Sequence, residues 1–182
     1  MDSAWYGHAL ASGDERAFQI LIDQHATPVL RICYRILGSV EEAEDAAQET
    51  FVLAFRARAT YRGDGSPDAW IARIATREAW RRRARRARRD ATTMPLDQAL
   101  LDAVPDTADP VRDALDSERG EAVRDAVAAL PEPYREVVAL RYFADLSPAA
   151  IASVTRRPEG TVRAQLSRGL SRLRLRLQGY RP

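Results

Sequence analysis

The sequence is poor in the residues that build metal centres, disulfides and membrane spans. Its 182 residues include one cysteine, two histidines and no lysine. Cys33 alone forms neither an internal disulfide nor a multi-cysteine zinc site, and two histidines are too few for a histidine-rich metal centre. No run approaches the roughly 20 apolar residues of a membrane span, and the first residues carry acids rather than a signal peptide. We therefore expect a cytoplasmic protein that holds no metal or cofactor and does not insert into membranes.

Opposite charges are segregated into alternating blocks, although the net charge of the chain is only +2. Residues 1–70 and 91–130 carry net charges of −5 and −6, whereas residues 71–90 and 131–182 carry +7 and +6. All 28 basic residues are arginine, which suits phosphate contacts but is also typical of a GC-rich coding genome. The alternation of blocks is therefore more informative than the composition.

Helical spacing of apolar residues recurs through most of the chain, and no run alternates as a half-buried strand would. Asp14 opens a first helix, and Pro28 begins a second one that Gly38 stops. Ser39 and Glu42 form a capping box for a third helix. The lone Cys33 lies on an apolar helix face, which favours a packed thiol over a redox switch. These signals predict an all-α fold.

Breaks in the pattern divide the chain into two small helical domains. A glycine-rich turn at 61–67 precedes an arginine-loaded helix from about 68 to 89. Residues 91–117 hold three prolines and six aspartates with little periodicity, so we interpret them as a flexible acidic linker. Short helical turns around residues 96–104 remain an alternative there. The predicted organisation is a domain at 1–90, a linker at 91–117 and a second domain at 118–182.

The helix that follows Ser39 has one polar, mostly acidic face. A 100° step per residue collects on that face Glu41, Asp45, Gln48, Glu49 and Val52. The face is either a solvated surface whose first-turn acids suit the helix dipole, or a docking surface for a basic partner. A carboxylate cluster that holds Mg²⁺ for phosphoryl chemistry is a third hypothesis. No nearby lysine, histidine or glycine-rich phosphate loop supports it.

Arginines surround the second half of the 68–89 helix, where the apolar residues after Trp80 are all alanines. A helix of this kind lacks the bulky apolar face that binds membrane surfaces. A polyanion is the natural partner, because each neutralised phosphate releases counterions. Trp70, Trp80 and Tyr61 are either core residues or a platform on which single-stranded bases stack. The alternative is a solvated, frayed helix end.

Residues 147–177 have the pattern of a helix-turn-helix. Ser147 caps a short helix with Pro148 at its first position, and a turn at 155–157 leads to a longer helix from Pro158. Small residues on one face of the second helix allow it into a DNA major groove, where arginine and glutamine read base edges. The candidate base and phosphate contacts are Arg156, Arg157, Thr161, Arg163, Ala164, Gln165, Arg168 and Arg172. A helix hairpin used only for packing is the alternative.

Several segments together resemble the sigma-70 family of RNA polymerase sigma factors, in its small two-domain extracytoplasmic-function group. The matching segments are GDERAF (13–18), EEAEDAAQETF (41–51), YRG…W (61–70), LPEPYREVVALRYF (130–143) and GTVRAQLSR (160–168). Two motif blocks in the right order, across a linker of suitable length, make the resemblance specific. It implies a region 2 helical bundle and a region 4 helix-turn-helix.

The resemblance also implies a function, which is binding rather than catalysis. The protein is expected to join core RNA polymerase, through the coiled coil of the largest subunit and the flap, and to direct it to promoters. The second domain is expected to read the minus-thirty-five element. Contacts with the minus-ten element are expected from Arg62, Trp70, Arg73, Arg77, Trp80, Arg81, Arg82 and Arg85. Members of this group are commonly held by an anti-sigma factor, which no residue here identifies, and we expect a monomer when the protein is free.

The chain departs from the family pattern at four positions. Pro67 replaces an aromatic residue, Arg77 an asparagine, Ala150 an acid and Gln165 an arginine, so contacts with both promoter elements are expected to differ. The charge blocks also suggest that the acidic linker folds over the DNA-binding surfaces of the free protein. Two other functions remain open: a stand-alone helix-turn-helix regulator, which would ordinarily dimerise to read two half-sites, and a Mg²⁺-dependent phosphohydrolase.

Overall fold

A computed structural model describes residues 12, 14–61, 66–90 and 118–178. Within these ranges the chain forms seven α-helices and no strand, which confirms the all-α prediction. The helices are α1 (Glu15–Leu37), α2 (Val40–Ala57), α3 (Pro67–Asp90), α4 (Glu118–Ala128), α5 (Tyr134–Tyr142), α6 (Pro148–Thr155) and α7 (Glu159–Leu177). A short 3-10 turn, Arg58–Thr60, follows α2. The linker at 91–117 and the helical turns suggested at 96–104 lie outside the described residues. None of the described helices has the length and apolar character to cross a membrane.

Helices α1, α2 and α3 pack against one another as a three-helix unit. Each turns its apolar stripe inward, and the fully buried side chains include Leu21, Val29, Ile36 and Ile71. Alanines line much of α2 and α3 at the contact, including Ala43, Ala46, Ala54, Ala75 and Ala79. Small residues at these positions let the helix backbones approach closely. Cys33 is buried in this core, as predicted.

Capping interactions fix both ends of α1 and the start of α2. The Asp14 carboxylate accepts the backbone N–H of Arg16 at 2.8 Å at the start of α1. Gly38 ends α1 in the left-handed conformation, with φ of 76°, and its N–H donates to the Tyr34 carbonyl. Ser39 then accepts the N–H of Glu42 at the start of α2. The helix starts predicted at Asp14 and Ser39 and the stop at Gly38 are therefore confirmed.

The predicted break at Pro28 is wrong, because α1 runs through it without interruption. Proline removes one backbone donor and crowds the preceding turn, which costs an exposed helix about 3 kcal/mol. Here the apolar stripe continues on both sides of Pro28, with His25 before it and Val29 and Ile32 after it all buried. Pro28 itself is exposed. Burial of this continuous stripe outweighs the local cost.

Helices α4 to α7 form the second unit. Its innermost side chains are Val137 and Leu140 of α5, Ile151 of α6 and Val162 of α7. The Ser147 hydroxyl accepts the N–H of Ala150 at 3.1 Å, and Pro148 occupies the first position of α6, as predicted. The stripe of apolar residues along α7 is buried or half-buried: Val162, Leu166, Leu170, Leu173 and Leu177. The helix-turn-helix fold is therefore confirmed.

The two units also contact each other directly. The predicted arrangement of two domains joined by a flexible linker did not include this contact. One apolar cluster runs from the core of α1–α3 to residues of α4, α5 and α7. At its centre the Trp80 and Phe143 rings meet edge to face, with ring centres 5.8 Å apart. This contact buries Trp80, one of the predicted site residues.

Candidate nucleic-acid and protein interfaces

The outer face of α2 is exposed where the sequence predicts it to be. Asp45, with 65% of its side chain exposed, lies beside exposed Glu41 and Gln48, while Glu49 is half-buried. Val52 continues this face and is 42% exposed. The arrangement is an acidic surface that continues into an apolar patch, which suits a partner that is basic and partly apolar.

Phe55 extends the same face, and the sequence reasoning missed it. Its ring is 38% exposed and meets Phe18 edge to face, with ring centres 5.1 Å apart. The Arg58 guanidinium lies 4.0 Å from the ring centre of Phe55. The sequence did contain a signal for Phe55: it follows Val52 by three residues, and residues three apart lie on the same helix face.

Several arginines of α3 form ion pairs with carboxylates of the first domain. Glu78 is buried and accepts from Arg81 at 2.7 Å and from Arg82 at 2.9 Å. Arg82 reaches on to Asp45, and Glu78 and Asp45 raise the pKa of Arg82 against the lowering effect of burial. Arg86 donates to the Glu42 carboxylate at 2.8 Å. Arg85 is exposed, and Arg62 lies outside the described residues.

The aromatic side chains near α3 pack in the interior instead of forming an open platform. Tyr61 is buried against half-buried Trp70, with ring centres 5.3 Å apart. Trp80 is buried against the second domain. Pro67, where the family pattern has an aromatic residue, is buried as the first residue of α3. In this arrangement the rings serve as core, which was one of the two predicted interpretations.

The outer face of α7 has the exposed small and polar residues that the sequence predicts. Exposed positions are Gly160, Thr161, Arg163, Ala164, Arg168 and Arg172, while Gln165 is half-buried. Arg163 donates to Glu159 at 2.6 Å one turn earlier, and the guanidinium of Arg172 lies 5.0 Å from the ring centre of Tyr134. A face without bulky side chains lets a helix backbone come close to a groove floor.

The turn of the helix-turn-helix places its two arginines differently. Arg156 is exposed and adopts a left-handed conformation with φ of 56°, and its N–H closes the end of α6. Arg157 is half-buried and donates to Glu136 at 2.7 Å. A second donor of Arg157 reaches the Gln165 side-chain oxygen at 3.5 Å. Only Arg156 of this pair is open to a phosphate in the observed arrangement.

Glu136 of α5 accepts hydrogen bonds from arginines of both domains. The sequence reasoning did not single it out. Its carboxylate accepts from Arg73 at 3.0 Å, from Arg77 at 3.0 Å and from Arg157 at 2.7 Å. Burial raises the pKa of Glu136, but these arginines outweigh burial and hold the pKa below its usual value. Arg73 also donates to the Val154 carbonyl. Residues predicted to touch different promoter elements thus share one carboxylate.

Comparison with known proteins identifies the family. Models described as Sigma-70 region 2 and Sigma-70, region 4 match residues 21–89 and 120–173. The RNA polymerase sigma-H factor of Pseudomonas aeruginosa is 35% identical over 161 residues, which cover 86% of this chain and 83% of that protein. The chain belongs to the sigma-70 family. The ECF RNA polymerase sigma factor SigW of Bacillus subtilis, 30% identical with 91% of each chain covered, places it in the extracytoplasmic-function group.

Two solved structures share the fold. CnrH, solved in complex with the cytosolic domain of CnrY, aligns with a TM-score of 0.58 and 21% identity, covering 98% of this chain and 99% of CnrH. RpoE of Bartonella quintana, solved in complex with the anti-sigma factor NepR, aligns with a TM-score of 0.53 and 19% identity, covering 90% and 98%. The resemblance inferred from the sequence is confirmed. This sigma factor binds core RNA polymerase and directs it to promoter DNA, and the stand-alone regulator is not favoured.

Proposed function

We propose that the outer face of α2 is the surface through which this sigma factor docks on the coiled coil of the largest polymerase subunit. The observation that carries the proposal is the exposure of Asp45, Gln48 and Val52 together on one helix face. Exposed carboxylates steer a basic partner, and the adjoining apolar side chains supply the area that binding buries. Phe55 belongs to this surface because it adjoins Val52 and is partly exposed.

The second part of the proposal assigns the DNA contacts to the two domains. The domain at 118–182 reads the minus-thirty-five element, with α7 in the major groove and Thr161, Gln165 and Arg168 at base edges. Exposed Arg156 holds a phosphate and fixes the register. The domain at 1–90 engages the minus-ten element through α3, where Arg85 is exposed and Arg77 keeps 63% of its side chain exposed. In this proposal the polymerase flap holds the second domain.

The proposed action is binding alone, in the cytoplasm, with no reaction carried out by the chain. Support comes from the family, whose members act as subunits of polymerase rather than as enzymes. An anti-sigma factor is included among the proposed partners, because RpoE of Bartonella quintana, which shares the fold, is solved with one. A partner of this kind would compete with polymerase for the same sigma factor.

The decisive experiment measures binding to purified core RNA polymerase that lacks sigma. The test variant carries Asp45→Asn with Glu49→Gln, and the control variant carries Glu15→Gln with Asp23→Asn on the exposed side of α1. Both variants lose two negative charges. We expect the test variant to bind about tenfold more weakly or worse, and the control to bind like the native chain. Equal affinity of all three proteins would contradict the α2 assignment.

A further inference from the structure

We propose that Arg157 is a positioning residue for Gln165, and that Gln165 held in this way selects guanine rather than adenine in the minus-thirty-five element. The inference rests on the proposed function, which places α7 in the major groove with Gln165 at a base edge. It adds which base this side chain selects and the reason. Three residues of the second domain carry it: Glu136 of α5, Arg157 of the turn and Gln165 of α7.

A buried carboxylate fixes one side of the Arg157 guanidinium. Its Nη2 donates to Glu136 Oε2 at 2.7 Å, and only 9% of the Glu136 side chain is exposed. Burial raises the pKa of Glu136, but its arginine partners outweigh burial and keep the carboxylate ionised at neutral pH. A charge-assisted hydrogen bond to a buried carboxylate gives the guanidinium a defined position. Both residues belong to the second domain, so the bond needs no contribution from the first.

The other side of the guanidinium sets the orientation of the Gln165 amide. Arg157 Nη1 donates to Gln165 Oε1 at 3.5 Å, a long contact that the positive charge of the donor favours. The reverse orientation would turn the Nε2 hydrogens towards a cationic N–H group, where neither partner accepts. Because Arg157 is half-buried, the amide oxygen points back towards the protein. The Nε2 donors are therefore the end left for DNA.

A glutamine whose amide oxygen is held selects a different base from a glutamine that is free to turn. A free amide offers an acceptor and a donor together, which pair with the N6 amino group and N7 of adenine. With its oxygen turned to Arg157, Gln165 offers donors alone. Guanine presents two acceptors, O6 and N7, whereas adenine and thymine present one each and cytosine presents none. The held side chain therefore favours guanine.

The two neighbouring arginines of the turn thus have different roles. Arg156 is exposed, so its charge is open to a phosphate. The charge of Arg157 is paired with Glu136, so Arg157 adds little to the attraction of phosphates. Loss of Arg157 should therefore change which base is preferred, whereas loss of Arg156 should change how strongly salt weakens binding.

The test uses the full chain as a holoenzyme with core polymerase, on a promoter duplex that this holoenzyme transcribes. Each base pair of the minus-thirty-five element is replaced in turn by the other three, and affinity is measured over a range of salt. Gln165→Ala identifies the base pair that Gln165 reads, because the preference there is lost. Arg157→Ala is the test variant. Arg156→Ala is its charge-matched comparison, since each variant removes one positive charge from the same turn.

At the base pair that Gln165 reads, we expect the native chain to prefer guanine over adenine about fivefold or more. In Arg157→Ala the amide is free to turn, so the preference should move to adenine while the salt dependence stays the same. Arg156→Ala should keep guanine and lower the slope of log affinity against log salt by about 1. Arg157→Ala combined with Gln165→Arg should prefer guanine again, because arginine offers donors alone.

Two results would overturn the proposal. One is a native chain that prefers a base other than guanine at this base pair, a measurement that holds even if Arg157→Ala folds poorly. The other is a folded Arg157→Ala variant that keeps the preference for guanine. Failure of the proposed function looks different: Gln165→Ala would then change no base preference, which removes Gln165 from the base edges and overturns the role of Arg157 with it.

Discussion

Gly169 of α7 lies directly against Val138 of α5, so that a Cβ added to the glycine would stand 2.7 Å from Val138 Cγ2. Real Cβ atoms do not approach a carbon this closely, and a buried β-branched valine has little freedom to move aside. The crossing of α5 and α7 therefore depends on a missing side chain. Hydrogen at this position lets the two helix backbones cross closely.

We predict that Gly169→Ala destabilises the second domain by about 1–3 kcal/mol, the usual cost of overpacking a core. Gly160→Ala is the matched control in the same helix, because nothing lies within 4 Å of its added Cβ. Alanine is the better helix former, so this change should be neutral or stabilising by up to about 1 kcal/mol. Urea unfolding followed by circular dichroism measures both. Similar midpoints for the two variants would show that the helix crossing tolerates a methyl group.

A second prediction concerns stability in acid. Burial lowers the pKa of His25, and the nearby carboxylate of Asp68, 3.2 Å away, offsets this only in part. An unfolded histidine titrates near 6.5, so below that pH the unfolded chain binds more protons than the folded chain. The free energy of unfolding should therefore be highest above pH 6.5 and fall as the pH drops towards the folded pKa.

The pH series is measured by thermal unfolding of the native chain and of His25→Gln. The variant should lose the decline that begins at pH 6.5. It should keep a later decline below about pH 4.5, because Glu121 and Glu136 also have folded pKa values below their usual value of 4.5. Parallel curves for the two proteins between pH 6.5 and 5 would rule out His25 as the cause.

A third prediction is that Cys33 is chemically inert in the folded protein. Burial raises the pKa of its thiol to about 12, and the thiolate, not the thiol, is the reactive form. A thiol reagent such as dithionitrobenzoate should leave the native protein unmodified at pH 8 and release one equivalent of chromophore in denaturant. Because the chain has a single cysteine, the stoichiometry is unambiguous. Rapid reaction of the native protein would revive the redox-switch hypothesis.

Local chemistry allowed much of the fold to be predicted. Caps such as Ser39 and Ser147 satisfy the first N–H groups of a helix, and Gly38 supplies the left-handed residue that ends one, so each acts within four residues. Periodicity predicted the exposed faces of α2 and α7 because it, too, depends on residues only three or four positions apart. Pro28 was misjudged because its effect depends on packing along the whole of α1, which a local rule does not include.

The contact between the domains was beyond sequence reasoning for a physical reason. Arg73 and Glu136 are separated by 63 residues, and Arg77 and Glu136 by 59. No periodicity links such positions, and either arginine could equally have faced solvent or a phosphate. Their partner is decided by how two folded domains meet. The same holds for Arg83, which lies in a run of arginines yet is only 5% exposed, against Glu121 and Asp125.

The last prediction separates reading of bases from holding of phosphates in the second domain. Arg156 and Arg168 are both exposed, but Arg156 lies in the turn and Arg168 on the outer face of α7. Arg156→Ala should weaken binding to all promoter sequences alike and reduce the slope of log affinity against log salt by about 1. Arg168→Ala should instead relax the preference at one base pair, at a cost of about 1–3 kcal/mol for the preferred sequence.

Both variants are measured as holoenzymes with core polymerase, on promoter duplexes mutated one base pair at a time and over a range of salt. The two variants share the loss of one positive charge, so a purely electrostatic role would give them the same salt slope and the same sequence preference. A change of preference with Arg168→Ala alone would assign base reading to α7. If Arg156→Ala altered the preference instead, the turn would lie deeper in the groove than its position before α7 suggests, and the assignment of the two arginines would be reversed.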